Sequence, residues 1–210
     1  MRPNAGGRGG GVAGSQPMST VQLYTGAQIN FGDLTPYLTI FVINICMFRV
    51  TATDIDVSAI LSQLERNVAR NSHLIPSSTG VTVASLDFSR HTTIIQQEPF
   101  DLVLAGDVIY DDDITSSFVS FIGQLASMAG LQDRKVSIVI ATEKRYVFTL
   151  AELDTVAPAF DFFLKQLDQL MMSQTRDQGK RMDLEFQNID FPQYFCYERS
   201  KEMILLKLTF

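Results

Sequence analysis

The 210-residue sequence predicts an α/β fold: a doubly wound, mostly parallel sheet with a C-terminal antiparallel hairpin. Two features predict it. Short β-rich segments alternate with segments whose apolar residues recur every three or four positions, which is typical of strands followed by covering helices. The last two β-rich segments are joined by a connection too short for a crossover helix, so they are expected to pair antiparallel.

The first strand and helix that the pattern identifies begin at Phe48. Residues Phe48–Thr53 are rich in β-forming residues and end at Asp54. The apolar residues that follow have helical spacing and predict an amphipathic helix: Val57, Ile60, Leu61, Leu64 and Val68.

Two further short strands end in acidic residues. Residues Val81–Leu86 are followed by Asp87, and Phe100–Ala105 by Gly106-Asp107. A run of acids then precedes a second amphipathic helix, as favoured at a helix N-terminus. Its apolar residues are Ile114, Phe118, Phe121, Ile122, Leu125 and Met128.

The remaining segments complete the predicted sheet. Val136–Thr142 is almost continuously apolar, as expected of a parallel strand at the centre of the sheet with both faces covered. A helical stretch around Phe160–Met172 follows, and Met182–Asp190 and Met203–Phe210 are the hairpin strands. This alternation is Rossmann-like, and such sheets bind ligands beyond the carboxyl ends of their strands.

Composition excludes several classes of protein. With 46% hydrophobic and 19% charged residues the chain is globular, and its net charge of -6 argues against direct nucleic-acid binding. Its two cysteines form no CxxC pair, so neither a disulfide scaffold nor a zinc site is expected. The longest apolar run, Tyr37–Phe48, is shorter than the roughly twenty residues of a membrane span. No secretory signal is visible, so an intracellular location is expected.

The N-terminal residues differ in composition from the rest. Residues 1–20 form a Gly-rich segment that holds six of the thirteen glycines and almost no core-forming residue. We expect a disordered tail there, followed by a single domain over residues 21–210.

Three acids at predicted strand ends are the candidate binding residues. In a doubly wound sheet Asp54, Asp87 and Asp107 would converge on one rim. Carboxylates there accept hydrogen bonds from ribose hydroxyls or an adenine amino group, which indicates an adenosine-bearing ligand. The alternative is that each aspartate caps the turn or helix that follows it.

Four segments resemble a known family. The sequences TATDID (51–56), RNVARN (66–71), SLDF (85–88) and FDLVLAGDVIYDDD (100–113) resemble class I S-adenosylmethionine-dependent methyltransferases, specifically the family 16 protein-lysine methyltransferases. The resemblance covers about residues 48–210. It implies S-adenosylmethionine as cofactor, a protein substrate that presents a lysine, and a nuclear or cytoplasmic location, with no nucleic-acid or membrane partner.

The resemblance also implies a cofactor site. Asp54 matches the acid that binds the ribose hydroxyls, and Gly106 matches a small residue beside the cofactor. Asp87 and Phe88 match an Asp-Trp pair at the adenine, in which phenylalanine keeps an apolar ring but loses the indole N–H.

The predicted catalytic residues are Asp107 and Tyr110, which match the family's acidic-x-x-aromatic motif at the target lysine. An acid there holds the amine, and an aromatic ring walls the lysine channel. The alternative for Tyr110 is a ring that covers the edge of the sheet. Asp111–Asp113 are interpreted as a solvated helix start, with no metal site, and Glu143–Arg145 either contact substrate or form a charged loop.

The glycine-rich turn of the family is missing from the residues just before Phe48, where it is expected. The class has a first strand that ends in an acidic-x-G-x-G turn, where glycine lets the backbone approach the cofactor. Residues 30–47 (NFGDLTPYLTIFVINICM) contain one glycine, Gly32. The first strand and its loop are therefore expected to be incomplete, with Tyr37–Val50 packing on the sheet as a substitute strand or helix.

That departure leaves alternatives to the enzyme open. The chain is an active methyltransferase, a non-catalytic interaction module, or a truncated isoform that does not bind cofactor. A Mg²⁺- and nucleotide-dependent transferase ranks lowest, because the P-loop lysine motif is absent.

Overall fold

The computed structural model describes eight stretches of the chain: 20–25, 49–55, 58–75, 80–90, 100–149, 153–178, 181–190 and 200–210. Their strands are, in chain order, β1 Thr20–Thr25, β2 Arg49–Asp54, β3 Val81–Ser85, β4 Leu102–Gly106, β5 Ser137–Glu143, β6 Val147–Thr149, β7 Asp154–Val156, β8 Asp183–Gln187 and β9 Met203–Thr209. Their α-helices are α1 Ser58–Arg70, α2 Asp112–Leu131 and α3 Pro158–Gln178.

Seven of these strands form one mixed sheet in the order β3-β2-β1-β4-β5-β9-β8. The first five are parallel to one another. Strand β9 pairs antiparallel with both β5 and β8. The predicted α/β class, parallel sheet and C-terminal antiparallel hairpin are confirmed.

The first strand lies where the sequence analysis did not place it. Strand β1 runs parallel between β2 and β4, and its Leu23 pairs with Ala52 on one side and Leu104 on the other. The expectation of an incomplete first strand is therefore wrong. The strand was missed because it has only six residues and directly follows the Gly-rich segment. Thr20, the last residue assigned to the predicted tail, is the first residue of β1. The proposed substitute falls mainly on residues 37–48, which lie outside the described residues.

One smaller expectation also needs correction, and one hairpin was not expected. Strand β5 is next to the middle of the seven-stranded sheet, and β4 occupies the middle. The chain also pairs β6 with β7 in a separate two-stranded hairpin directly after β5. Its strands have three residues each, too few for an alternating pattern to predict them.

Helices α2 and α3 pack together and bury an aromatic cluster. The Phe118 ring stacks 6.4 Å from that of Phe163, and both side chains are inaccessible to solvent. A Cβ added at Gly123 of α2 would come within 2.9 Å of Leu170 in α3, so glycine permits this close helix approach. Helix α2 is long and apolar enough to span a membrane by length and composition alone, but nine of its residues are buried in this core.

Candidate functional site

The carboxyl end of the sheet, meaning the residues that end or directly follow the parallel strands, collects the predicted site residues. In the strand register Asp54 pairs with Ser85, while Gly106 pairs with Thr25 on one side and Ala141 on the other. Strands β2 and β4 are separated by β1 alone, and neighbouring strands lie about 4.8 Å apart. Asp54 and Asp107 therefore lie at the same end of the sheet, two strands apart.

Asp54 is a buried carboxylate at the last position of β2, with 1% of the residue exposed. Its Oδ1 accepts a hydrogen bond of 2.8 Å from the backbone N–H of Ile55. Its carbonyl oxygen accepts another, also 2.8 Å, from the N–H of Leu86 just after β3. The ends of β2 and β3 are thus tied together around this acid.

Asp87 lies at the same end of the sheet, two residues beyond β3, and is exposed. Its Oδ1 accepts hydrogen bonds from the N–H of Ser89 at 2.8 Å and from the Ser89 hydroxyl at 2.6 Å. The N–H of Arg90 donates to its carbonyl oxygen. Asp87 therefore starts the 3-10 turn Phe88–Arg90, as the capping interpretation expects, and its role at adenine stays a prediction.

Phe88 packs beneath this turn. Its ring centroid is 5.0 Å from that of Phe118 and 5.4 Å from that of Phe121, both on α2. With 4% of the residue exposed, the side chain belongs to the main core. Its packing against an adenine base stays a prediction, and the surface it offers in this structure is small.

Asp107 follows the last residue of β4 and turns the chain away from the sheet. Its φ of 51° is in the left-handed region, which aspartate tolerates better than most residues. The turn is fixed by a 2.8 Å hydrogen bond from its N–H to the carbonyl oxygen of Ala141 in β5. The conformation therefore depends on the pairing of β4 with β5.

A cation pairs with the Asp107 carboxylate. Nη2 of Arg145 donates to Oδ1 at 3.0 Å and to Oδ2 at 2.8 Å. The Arg145 guanidinium carbon also lies 5.9 Å from the centroid of the Tyr110 ring. We call these three side chains, Asp107, Tyr110 and Arg145, the Asp107 cluster.

Burial dominates the electrostatics of the cluster. It raises the pKa of Asp107, and the charge of Glu143 adds to this, while the charge and hydrogen bonds of Arg145 oppose it. Burial also raises the pKa of Tyr110, reinforced by the negative charges of Asp111, Asp107 and Asp54 and opposed by Arg145. The influence of both Asp54 and Asp107 on one phenol shows that the two strand ends share an electrostatic environment.

Arg145 is the site residue that sequence reasoning left unresolved. Of the charged segment after β5, Glu143 accepts a hydrogen bond of 2.6 Å from the hydroxyl of Ser200. The Nζ of Lys144 lies 4.9 Å from the centroid of the Phe160 ring. Arg145 is the member of this segment that contacts Asp107, and the signal for it in the sequence was its position just beyond a parallel strand.

The acids after Tyr110 begin α2. Asp111 is its N-cap, and the Oδ1 atom accepts hydrogen bonds of 3.0 Å from the N–H groups of Asp113 and Ile114. Asp112 and Asp113 lie in the first turn, where negative charge favours a helix. Across the described stretches, no group of three or more His, Cys, Asp or Glu side chains is arranged to hold a metal ion.

Comparisons with known proteins agree with this arrangement. A family described as "Lysine methyltransferase" matches residues 38–156, more than half of the chain. The chain belongs to this lysine methyltransferase family. Its mixed sheet of seven strands has the Rossmann-like, mostly parallel arrangement that the resemblance to this family implies.

Individual relatives share the sequence at a moderate level. The chain is similar to methyltransferase-like protein 22 of Mus musculus, with 31% identity over 76% of this chain and 43% of that protein. It is also similar to the Homo sapiens protein of the same name, with 31% identity over 76% of this chain and 42% of that protein. The chain thus spans less than half the length of these relatives. A solved human methyltransferase 10 domain containing protein has a TM-score of 0.49 and 12% identity, over 96% of this chain and 75% of that one.

The position of β1 shows where the glycine motif of a class I methyltransferase would occur. Residues 24–28 read Tyr-Thr-Gly-Ala-Gln at the end of this strand. Against acidic-x-G-x-G, Gly26 occupies the place of the first glycine, whereas Tyr24 replaces the acid and Gln28 the second glycine. Residues 26–48 lie outside the described part of the chain, so the motif is compared by sequence alone.

The described residues fit part of what the family's cofactor requires. Asp54 provides a buried carboxylate at the carboxyl end of β2, and a carboxylate can accept hydrogen bonds from two vicinal hydroxyls. Gly106 ends β4 without a side chain, at the same end of the sheet as Asp54. Phe88 contributes little exposed ring. Asp54 and Phe88 are both almost fully buried, at 1% and 4% exposed, so the fit of either residue depends on its chemistry, a carboxylate for a ribose and an apolar ring for an adenine base.

Proposed function

We propose that this chain is an S-adenosylmethionine-dependent protein-lysine N-methyltransferase. One observation carries the proposal: two buried carboxylates, Asp54 at the end of β2 and Asp107 just after β4, lie at the same end of the sheet with only β1 between their strands, in a chain of the lysine methyltransferase family. Asp54 would hold the ribose hydroxyls of S-adenosylmethionine. Asp87 and Phe88 would lie at the adenine, and Gly106 would leave room beside the cofactor.

The chemistry requires a neutral amine in a fixed orientation. When bound, S-adenosylmethionine would supply an electrophilic methyl group on a sulfonium sulfur, and that sulfur would leave as a neutral thioether when the methyl group is transferred in line to the amine. Asp107 accepts a hydrogen bond from the lysine nitrogen and orients it, while the face of Tyr110 forms one wall of its channel. The lysine would reach this site as an ammonium ion, and Asp107, whose pKa is raised by burial, is the carboxylate placed to accept its proton before transfer.

The proposed partner is a protein. The net charge of -6 supports a basic, lysine-bearing polypeptide rather than a nucleic acid, whose phosphates an acidic protein repels. A nuclear or cytoplasmic location is part of the proposal, because the same compartments contain such substrates.

A non-catalytic methyltransferase-like interaction module is the second candidate, and a truncated isoform that lacks cofactor binding would behave alike. Two observations favour it. The motif at residues 24–28 has tyrosine and glutamine in place of an acid and a glycine. The carboxylate of Asp107 is already paired with Arg145.

Calorimetry with S-adenosylhomocysteine separates the two candidates. The enzyme is expected to bind it with a dissociation constant in the micromolar range or below, and Asp54→Ala is expected to abolish binding. The matched control is Asp101→Ala, which removes a carboxylate at the opposite end of β4 and should leave binding intact. Asp54→Asn repeats the test with the side-chain volume kept. Absence of binding to the wild-type chain would favour the interaction module.

A further inference from the structure

We infer that Asp107 and Tyr110 form a binding site for an organic cation that Arg145 occupies in this structure. Arg145 would then compete with the lysine side chain of the substrate, which must displace it. This inference rests on the proposed function for the identity of that substrate. It adds a regulatory contact within the chain to the same site.

The contacts of Arg145 are those expected of a bound cation. One nitrogen reaches both oxygens of Asp107, at 3.0 and 2.8 Å, and the guanidinium carbon is 5.9 Å from the centre of the Tyr110 ring. A primary ammonium uses the same two partners, a carboxylate and an aromatic face. The two cations therefore cannot occupy the cluster together.

The exposure of the pair makes exchange feasible. The side chain of Asp107 is 11% exposed, whereas that of Arg145 is 43% exposed. Arg145 lies in the irregular residues between β5 and β6, so its side chain can return to water without breaking a helix or strand. Such partly exposed pairs contribute little net stability, because water solvates the released charge well.

Pairing also explains how the cluster accommodates a buried acid. A buried carboxylate with no partner is costly, and Arg145 opposes the effect of burial on Asp107. The arginine stabilises the charged acid until another cation replaces it. A substrate therefore binds with an affinity reduced by the free energy needed to release Arg145.

The test uses n-butylammonium chloride, which has the four-carbon stem and ammonium of a lysine side chain. Binding is followed by NMR at the Asp107 amide and the Tyr110 ring, in wild-type, Arg145→Gln and Arg134→Gln chains. Arg134 pairs with Asp101 at the opposite end of β4 and is the matched control. Arg145→Gln is expected to bind the probe about twofold to fivefold more tightly than wild type, the factor that corresponds to releasing a partly exposed ion pair. Arg134→Gln should bind it as wild type does.

Two further variants define the outcome. The gain should disappear in Arg145→Gln/Asp107→Asn, because the probe then lacks its carboxylate. Arg145→Met repeats the test with an apolar stem if the glutamine variant does not fold. Equal affinity in wild type and both Arg145 variants, or a gain that persists without the Asp107 carboxylate, would overturn the inference. The titration needs no cofactor, so its result is independent of the S-adenosylhomocysteine test of the proposed function.

Discussion

The two ends of β4 carry the same kind of ion pair in different settings. At the amino end Arg134 pairs with Asp101, and their side chains are 29% and 33% exposed. At the carboxyl end Arg145 pairs with Asp107, and the exposures are 43% and 11%. The two partners of the Arg134–Asp101 pair are therefore exposed to a similar extent, whereas in the Arg145–Asp107 pair the acid is much less exposed than the arginine.

The difference separates a structural contact from a candidate binding site. Asp101 also accepts a hydrogen bond of 3.0 Å at its carbonyl oxygen from the N–H of Ser137, so the amino-end pair holds the segments that enter β4 and β5. The carboxyl-end pair has a buried acid with a raised pKa, a left-handed backbone at Asp107 and an aromatic ring under the cation. At the carboxyl end the acid, Asp107, is largely shielded from water. Its partner, Arg145, is exposed enough to leave the pair and be solvated.

The largest expected effect comes from the core that supports both ends. Phe118→Ala removes a fully buried ring that packs against Phe88 and Phe163, and it should lower the free energy of unfolding by about 3–5 kcal/mol. Urea denaturation measures this loss. Phe186→Ala, at a ring that is 59% exposed, is the control and should cost far less. A loss at Phe118 no greater than that at Phe186 would show that the two ends do not share this core.

A smaller loss of stability should distinguish the capping acid Asp111 from an exposed acid within a helix. Asp111→Ala removes two hydrogen bonds to the first turn of α2 and should cost about 0.5–2 kcal/mol of unfolding free energy. Thermal unfolding checks the value against Asp168→Ala, an exposed acid within α3, which should stay within about 0.5 kcal/mol of wild type. Equal effects of the two substitutions would remove the N-cap role of Asp111.

The pH dependence of stability should reveal the burial of Asp107. Because its native pKa is raised, the unfolded chain ionises first as pH increases, and wild type loses stability relative to Asp107→Asn through that range. Below the ordinary pKa of about 3.8 the carboxyl is protonated in both states and the penalty is absent. Urea denaturation at pH 3.5 and at pH 7 measures the difference in unfolding free energy between wild type and Asp107→Asn at each pH. An asparagine variant that gains no relative stability at pH 7 would contradict the burial argument.

The smallest stability effects are expected from the two arginines. Arg145→Gln and Arg134→Gln should each cost at most about 1 kcal/mol, as partly exposed pairs do. Only Arg145→Gln should raise the pKa of Asp107 further, because Arg145 lowers it in the wild-type chain. Carboxyl ¹³C NMR across a pH titration distinguishes the variants. If the pKa of Asp107 rises equally in both variants, or in neither, the effect of Arg145 on Asp107 is not specific to the carboxyl end of β4.

Much of the carboxyl end could be predicted from local sequence pattern. Acids directly after short β-rich segments located Asp54 and Asp107, because parallel strands present their carboxyl ends on the same side. The small strand β1 could not be found in that way. Its signal is six residues long, and the glycine turn that would have marked it is reduced to Gly26.

The pairing of Asp107 with Arg145 depended on information that the sequence pattern does not contain. The two residues are 38 positions apart and meet because β4 and β5 pair in one particular register. Phe88 shows the same limit. The family resemblance implied a ring at the adenine, which stays a prediction, whereas the packing of Phe88 against the rings of α2 could not be read from its place after Asp87.

The most direct test of the account is an amide NMR map of the chain titrated with S-adenosylhomocysteine. If the carboxyl end of the sheet is the cofactor site, the largest shifts should occur at Ile55, Gly106 and Asp107. The amino end, represented by Gly80, Asp101 and Val136, should shift little. Shifts centred on the amino end, or no shifts at either end, would contradict the assignment of this site.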